Sequence, residues 1–334
     1  EDLALPRGAV LSERFEISRN FCTKLWNASR FTLMNLSGYE AAEVSEEDLA
    51  FEDRWILSRL ASVTQQVTEK LEHYGFAEAT RVLYDFAWDE FCSFYIEMTK
   101  SRMQDDSSRA VAQRVTAYTL DQLLRLLHPI IPFVTEEVWG LLSQIAPQRG
   151  LSNLAVATES IMIAQWPVAD GARIHVEIEQ QFSQFQEVLR AVREIRSRQN
   201  IAPRDEIEFS IHCTAGDEQL LRPLEGYFES MANARCVVWG ESVAAPENSA
   251  SVRVGEMEVF VDLKDFIDVD AEIERNTALE QKLLGQIQGR QKKLANEQFT
   301  ARAPAEIVER ERAGLVQLEE ELAAVRKSLE ALQA

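Results

Sequence analysis

Cysteine, long apolar runs and positive charge are all scarce in this chain of 334 residues. The cysteines form neither a CxxC pair nor a Cys/His cluster, which argues against a zinc site or a disulfide framework. They are Cys22, Cys92, Cys213 and Cys236. No apolar run approaches the roughly 18 residues of a membrane span, and no signal-peptide pattern opens the chain. We therefore expect reduced thiols, a cytoplasmic location, and neither a metal nor a membrane partner.

The 35 basic residues are outnumbered by 55 acidic ones, and the formal net charge is −20. Phosphate contacts need Lys and Arg, so this balance argues against a nucleic-acid partner. The basic residues are nevertheless concentrated in three segments, 14–30, 188–204 and 282–304, with four, five and five bases against one acid each. An acidic body with a few basic segments can orient a polyanion, so the charge excludes little.

The segment from Arg19 to Phe31 combines an apolar stripe with a polar face at helical spacing. The stripe is Phe21, Leu25, Ala28 and Leu33. The second face is Arg19, Thr23, Trp26 and Arg30, with Lys24, Asn27 and Phe31 beside it. Cations, amides and aromatic planes are the groups that bind unpaired RNA bases. Spacing alone favours the plainer interpretation, a solvated face on a core helix, and we expect the Trp26 indole to be buried.

Four further helices are predicted, over residues 53–74, 76–100, 108–127 and from Thr135. The helix over 76–100 is apolar on nearly every side, which predicts the central helix of a bundle. The seven acids within residues 40–53 predict a solvated loop. Asp85, Asp89 and Glu90 lack a His or metal-ligand partner at suitable spacing, so we assign them no catalytic role. His128 precedes a proline turn, where packing is its expected role.

A second, smaller unit is predicted from the order helix, strand, helix, strand, strand, beginning with a helix over 175–200. That helix carries Arg190, Arg193, Arg196 and Arg198 toward its C-terminal end. Cations are favourable there through the helix dipole, so this cluster has a structural explanation.

Beyond Asp268 the composition changes to Glu, Lys, Gln, Leu and Ala, which predicts two long helices over 270–295 and 304–333. The second helix repeats apolar residues at heptad spacing. They are Val308, Leu315, Leu322 and Leu329. The last three are each followed three residues later by another apolar residue, at Leu318, Val325 and Leu332. Two helices joined by a short connection pair antiparallel, which predicts a coiled-coil hairpin.

Three strings of the sequence resemble the class I aminoacyl-tRNA synthetases, and most closely the bacterial valyl enzymes. They are RNFCTKLWNASRF at residues 19–31, LHPIIPFVTEEVW at 127–139 and LANEQF with the following Ala-Pro at 294–304. The resemblance implies a mainly α fold: an anticodon-binding bundle over 1–167, a small α+β junction module over 172–266, and an antiparallel coiled-coil arm over 267–334. Neither nucleotide-binding signature of the family's catalytic domain occurs, so we expect a fragment that is inactive alone.

The resemblance also implies a partner and site residues. A valine-accepting tRNA would bind the bundle through its anticodon and the arm through its outer corner, whereas ATP and Mg²⁺ would serve only the full enzyme. We expect a monomer that binds no DNA. The expected anticodon-binding residues are Arg30 and Phe31, with Arg14, Arg19 and Lys24. The expected arm contacts are Arg290, Lys293, Arg302 and Phe299. The competing hypothesis is an acidic protein-interaction module that uses its coiled coil to bind a partner protein.

Overall fold

The computed structural model describes residues 13–246, 248–266, 269–295 and, within 310–326, all but 313, 320 and 324. This part of the chain is mostly helical with a small mixed sheet, which confirms the coarse fold class. The chain divides into two compact units, Glu1–Ala245 with Ser251–Val261, and Pro246–Ala250 with Asp262–Ala334. None of the described helices is long and apolar enough to cross a membrane.

The first part of the larger unit is a bundle of helices. They are α1 (Glu13–Asn35), α2 (Phe51–Glu72), α3 (Phe76–Asp85), α4 (Ile96–Met98), α5 (Arg109–Leu127) and α6 (Pro132–Ile145). A π-helix, Phe86–Tyr95, joins α3 to α4 without a break. Its Phe86, Phe91 and Tyr95 are fully buried, which confirms that the segment 76–100 is a central helix. Pro132 begins α6, where its missing N–H is not needed.

The turn before α6 places His128 as expected for a packing residue. Its Nδ1 lies 2.8 Å from the Thr135 hydroxyl, and the backbone N–H of His128 donates to the Leu124 carbonyl. The side chain thus links the end of α5 to the first turn of α6.

The prediction of a solvated acidic loop over 40–53 is wrong for its last two acids. Glu52 and Asp53 are buried in the first turn of α2. One guanidinium nitrogen of Arg102 lies 2.9 Å from Glu52 and 2.7 Å from Asp53. The Tyr95 hydroxyl donates to Asp53 over 3.0 Å, and the Tyr227 hydroxyl donates to Glu52 over 2.7 Å. Carboxylates are favourable at a helix N-terminus, and the distant Arg102 supplies the compensating charge.

The second part of the larger unit begins in the predicted order, but its second helix is divided into two helices, and three strands follow it instead of two. Before this part of the unit, two short strands of two residues each pair with one another, β1 (Gln148–Arg149) and β2 (Ala155–Val156). The elements that follow are α7 (Val176–Arg198), β3 (Ile207–His212), α8 (Ala215–Leu221), α9 (Glu225–Ala232), β4 (Ala234–Trp239), β5 (Ser249–Val254) and β6 (Met257–Asp262). The strand order is β4-β3-β6-β5, with β3 parallel to β4 and antiparallel to β6. Gly255, at a φ of 60°, makes the turn between β5 and β6.

The arginines at the end of α7 are held by backbone carbonyls as well as by the helix dipole. Arg196 is buried and donates to four carbonyl oxygens, those of Ala202, Asp205, Ala232 and Asn233. Arg193 donates to the Met231 carbonyl over 2.8 Å. These two side chains fix the loop after α7 and the end of α9, so two of the five cations in the basic segment 188–204 have a structural role.

Helix α7 packs on α2 through an aromatic stack and a hydrogen-bonded carboxylate. The rings of Trp55 and Phe182 lie 3.6 Å apart between centroids. Glu179 accepts hydrogen bonds from Ser58, Ser62 and Arg59, all on α2. This contact joins the helical bundle to the α+β part within one unit.

The smaller unit contains α10 (Val269–Ala295) and helical residues between 310 and 326. Leu283 and Ile287 of α10 are buried together with Leu322, and four further apolar side chains pack around them. They are Leu284, Leu315, Leu318 and Val325. Lys293 pairs with Glu311 and Arg326 with Glu280, so the two segments run in opposite directions. The remainder of the helix predicted over 304–333 lies outside the described residues.

Candidate nucleic-acid interface

The polar face predicted on α1 is exposed along its length. Arg19, Thr23, Trp26 and Arg30 are all exposed, while Phe21, Leu25 and Ala28 are buried in the bundle. The expectation that Trp26 is buried is wrong, because its side chain is 38% exposed. The helical spacing of the sequence places Trp26 on the same face as Thr23 and Arg30. The side chain lies on that exposed face even though the indole is hydrophobic.

The cations on this face differ in what they contact. Arg30 has neither an ion-pair nor a hydrogen-bond partner in the part of the chain that the structure describes. Arg19 lies 3.7 Å from Glu16, one turn earlier, and both side chains are at least half exposed. Arg14 belongs to α1, but its side chain lies outside the described residues. Of the two guanidinium groups that the structure describes on this face, Arg30 is therefore the one more open to an external anion.

A groove of about 210 Å³ runs beside this face, between α1 and the helix formed by the π-segment and α4. Its walls carry Lys24, Asn27 and Phe31 from α1, Glu97 from α4, and Lys100 from the turn that follows α4. Phe31, expected on the solvent side, is half-buried, and the Lys100 ammonium lies 5.6 Å from its ring centroid. The groove thus brings an aromatic plane, an amide and charges of both signs together.

Lys24 is engaged by the protein itself. Its ammonium donates to the Ser93 hydroxyl over 2.6 Å and lies 4.0 Å from the ring centroid of Trp88. Burial lowers the pKa of Lys24, and the nearby Asp89 carboxylate acts in the opposite direction. Burial raises the pKa of the Cys92 thiol to about 12, so the thiol is neutral at physiological pH. Lys24 therefore forms part of the groove wall, and a contact with an external ligand would compete with Ser93 and Trp88.

The sequence analysis did not find Trp88, Ser93, Glu97 or Lys100 as members of this site. They lie more than 50 residues from α1 in the sequence, and no local pattern pairs them with it. A partial signal exists, because Glu97 and Lys100 are three residues apart and follow an apolar run, which predicts one shared polar edge at the end of that helix.

In the smaller unit, Arg290 and Lys293 converge on one carboxylate. Glu311 lies 2.5 Å from the Lys293 ammonium and 3.7 Å from Arg290, and hydrogen bonding by Lys293 lowers the pKa of Glu311. Arg302 and Phe299, the other expected arm residues, lie outside the described residues. The two described cations are thus partly neutralised within the protein.

The described residues contain no group of three or more His, Cys, Asp or Glu side chains that could hold a metal ion. Glu90, one of the three acids assigned no catalytic role, pairs with Arg59 at 2.8 Å. It is a structural ion pair between α2 and the π-segment.

Comparison with known families gives two matches along the chain. Residues 53–211 match the family described as the anticodon-binding domain of tRNA ligase, and residues 268–333 match the valyl tRNA synthetase tRNA binding arm. The first match begins in α2, so it includes Glu97 and Lys100 of the groove, and helix α1 lies before it.

Several relatives that resemble this chain along most of its length are named valine–tRNA ligase. The protein of Rhodopirellula baltica is 51% identical over 99% of this chain, which covers 32% of that relative. The proteins of Syntrophotalea carbinolica and Bacillus subtilis are both 36% identical, over 95% and 90% of this chain and 35% and 33% of their own lengths. The chain thus spans about a third of the curated relatives it matches.

These matches cover α1 as well as the two family domains, and they confirm the resemblance that the three sequence strings indicated. The chain is therefore similar, along almost all of its length, to the C-terminal region of bacterial valine–tRNA ligases, and it contains an anticodon-binding domain and a tRNA-binding arm.

Proposed function

We propose that this chain is the tRNA-binding part of a valine–tRNA ligase, and that α1 and its groove bind the anticodon region. The observation that carries the proposal is Arg30, which has no partner among the described residues and lies beside a groove that contains Phe31 and Asn27. Guanidinium groups bind phosphates or base edges, and aromatic rings stack on unpaired bases. In this proposal Arg30 contacts phosphate or a base edge, Phe31 stacks, and Arg14, Arg19 and Lys24 assist.

The stacking step requires that a base displace the Lys100 ammonium from Phe31. An exposed cation–π contact is worth about 0.5–1 kcal/mol, whereas stacking of a base on an aromatic side chain is worth about 1–3 kcal/mol. The exchange is therefore favourable.

We also propose that α10 and the described helical residues between 310 and 326 belong to an antiparallel coiled-coil arm that binds the outer corner of the tRNA. The supporting observation is the shared apolar contact of Leu283, Ile287 and Leu322, flanked by ion pairs on opposing segments. Arg290, Lys293, Arg302 and Phe299 are the proposed contacts. The division into bundle, junction module and arm, at 1–167, 172–266 and 267–334, belongs to the same proposal.

The full-length enzyme would activate valine with ATP and transfer it to tRNA. We place ATP and Mg²⁺ in the parts of the ligase that this chain does not cover, and we propose no site for either here. In this proposal the protein acts as a monomer in the cytoplasm, on RNA and not on DNA.

A binding experiment tests the proposal directly. We expect the chain to retain a valine-accepting tRNA on a filter at low salt and to release it as salt rises, because cationic contacts displace counterions. Light scattering after gel filtration measures its mass in parallel. Indifference to tRNA together with concentration-dependent self-association would instead support the protein-interaction module.

Two variants locate the interface on α1. Arg30→Ala and Phe31→Ala should each weaken tRNA binding, the second by roughly 1–3 kcal/mol. Arg81→Ala is the matched control, because Arg81 is an exposed arginine on α3 of the same bundle. Binding by Arg30→Ala and Phe31→Ala that equals the parent's would refute the assignment.

A further inference from the structure

Arg290 occupies an otherwise apolar position in the contact between α10 and the described helical residues between 310 and 326, here called the return segment. It lies three residues after the buried Ile287, on the same face of α10. On the return segment, Glu311 lies four residues before Leu315, whose side chain packs in the same contact. The two segments therefore place a cation and a carboxylate where their pattern otherwise has apolar side chains.

Gly314 makes room for the Arg290 guanidinium. It lies three residues after Glu311, on the same face of the return segment. A Cβ atom at Gly314 would lie 2.7 Å from Cζ of Arg290 and 3.2 Å from its Nη2, so an alanine there would displace the guanidinium. Nη1 of Arg290 lies 3.7 Å from Oε2 of Glu311, and the Arg290 side chain is half-buried. The backbone of Gly314 and the carboxylate of Glu311 thus form a niche around the guanidinium.

The niche holds Arg290 less firmly than Glu311 holds Lys293. The Lys293 ammonium lies 2.5 Å from Oε1 of the same carboxylate, and the attraction between charges falls with distance. A phosphate offers a guanidinium two acceptors in a bidentate arrangement, whereas the carboxylate of Glu311 is already engaged by Lys293. A phosphate can therefore draw Arg290 out of the niche.

We propose that Gly314 is a positioning residue of the arm: it opens the niche that holds the Arg290 guanidinium against Glu311, and so it limits how readily Arg290 is given up to an RNA phosphate. Filling the niche with a side chain displaces the guanidinium from the return segment and leaves it free for phosphates. The inference rests on the proposed function, because it requires that RNA phosphates reach the arm.

A first experiment measures the enclosure of Arg290 without RNA. Phenylglyoxal reacts with accessible arginine side chains, and peptide mass spectrometry gives the rate at each one. In the parent, Arg290 should react more slowly than the exposed Arg81. Gly314→Ala should accelerate the reaction of Arg290 by roughly two- to fivefold, the factor that corresponds to the loss of a partly exposed ion pair. An unchanged rate at Arg290 in this variant overturns the inference.

Gly285→Ala is the matched control. It also replaces a helix glycine, and so brings the same gain in helix propensity, but no described atom lies within 4 Å of the Cβ that it adds. Its Arg290 should react at the parent's rate. Glu311→Gln removes the other wall of the niche without adding a Cβ atom, and it should accelerate the reaction as Gly314→Ala does.

A second experiment measures what the niche does to RNA binding. Gly314→Ala should bind a valine-accepting tRNA about two- to fivefold tighter at low salt, and its slope of log affinity against log salt should steepen by up to about one unit. Gly285→Ala should match the parent in both. In an Arg290→Gln background Gly314→Ala should have no further effect, because the cation that it releases is absent.

The outcomes separate the inference from the proposed function. Equal or weaker tRNA binding by Gly314→Ala, or the same gain in the Arg290→Gln background, overturns the inference. If the parent binds no tRNA, the proposed function fails instead, and the reaction rates of Arg290 alone decide whether Gly314 holds it.

Discussion

Arg102 compensates two buried carboxylates in the bundle, and its loss should be costly. Burial raises the pKa of Asp53, and the charge of Arg102 acts against that shift. Breaking a buried ion pair by removing one partner costs about 3–5 kcal/mol, because a charge remains buried without compensation. Arg102→Met should therefore lower the free energy of unfolding by that amount at pH 7, measured by urea denaturation.

The same variant should depend on pH in a defined direction. Without Arg102 the folded pKa of Asp53 rises further above its ordinary value of 3.8, so the folded variant binds a proton more readily than the unfolded chain. The destabilisation relative to the parent is then largest where Asp53 is ionised, and it shrinks as the pH falls through the raised pKa. Arg222→Met is the control, because Arg222 and its partner Glu218 form a more exposed pair and should show little effect.

Trp26 and Trp139 provide a second contrast at the residue scale. Trp139 is fully buried and Trp26 is 38% exposed. Trp139→Ala should destabilise by about 3–5 kcal/mol, and Trp26→Ala by about 1–2 kcal/mol, because the smaller burial leaves less apolar area to lose. Thermal melts of the two variants check this order. Equal losses would mean that the indole of Trp26 packs far more tightly than its exposure indicates.

At the scale of elements, hydrophobic periodicity predicted most of the helices and strands. It located α2, α5 and the order of α7, β3 and β4, because each has one buried face whose repeat is local in the sequence. It did not reveal the π-helix from Phe86 to Tyr95. A helix that is apolar on nearly every side has no hydrophobic periodicity from which its hydrogen-bond register could be predicted. It also could not pair Arg102 with Asp53, which are 49 residues apart.

The contact between α7 and α2 depends on Arg59 and Glu179. Burial alone would raise the pKa of Glu179, but hydrogen bonds from Ser58 and Arg59 lower it overall. Arg59→Met also leaves Glu90 without its partner and should destabilise by about 3–5 kcal/mol. Glu179→Gln should cost about 1–2 kcal/mol. Hydrogen exchange should show faster opening of residues 176–198 in both variants, and unchanged protection there would contradict this role.

The Glu179 contribution should vanish in acid. Its folded pKa lies below the ordinary value of 4.5, so its stabilisation is present above that pH and is lost as the pH falls through the folded pKa. The difference between parent and Glu179→Gln should accordingly be full at pH 7 and should narrow below about pH 4.5, measured by denaturation at several pH values.

At the scale of the whole molecule, the net charge of −20 conceals where the cations lie and what they pair with. The sequence predicted the basic segments, and the structure separates them by use. Arg196 donates its hydrogen bonds to backbone carbonyls, Arg290 and Lys293 both pair with Glu311, and Arg30 is exposed to solvent. Counting charges could not make this distinction, because the partners are remote in sequence or are backbone atoms.

The pairing of Arg290 and Lys293 with Glu311 predicts that removing one acidic side chain changes how the arm binds tRNA. If phosphates bind Arg290 and Lys293, the Glu311 carboxylate competes with them for these two cations. Glu311→Gln should therefore strengthen tRNA binding. It should also steepen the dependence of log affinity on log salt, by up to about one unit for each cation that becomes free to bind a phosphate. Glu319→Gln is the control for net charge. It removes the same charge from the same segment, but the Glu319 side chain contacts the neutral Gln291, at 3.4 Å.

Replacing Arg290, Lys293 and Arg302 by Gln should have the opposite effect: tRNA binding should weaken, and the slope of log affinity against log salt should flatten. Salt titrations of tRNA binding by parent and variants measure each slope. Equal effects of Glu311→Gln and Glu319→Gln would show that the two cations do not contact the RNA, and that the charge of the arm acts only through its total.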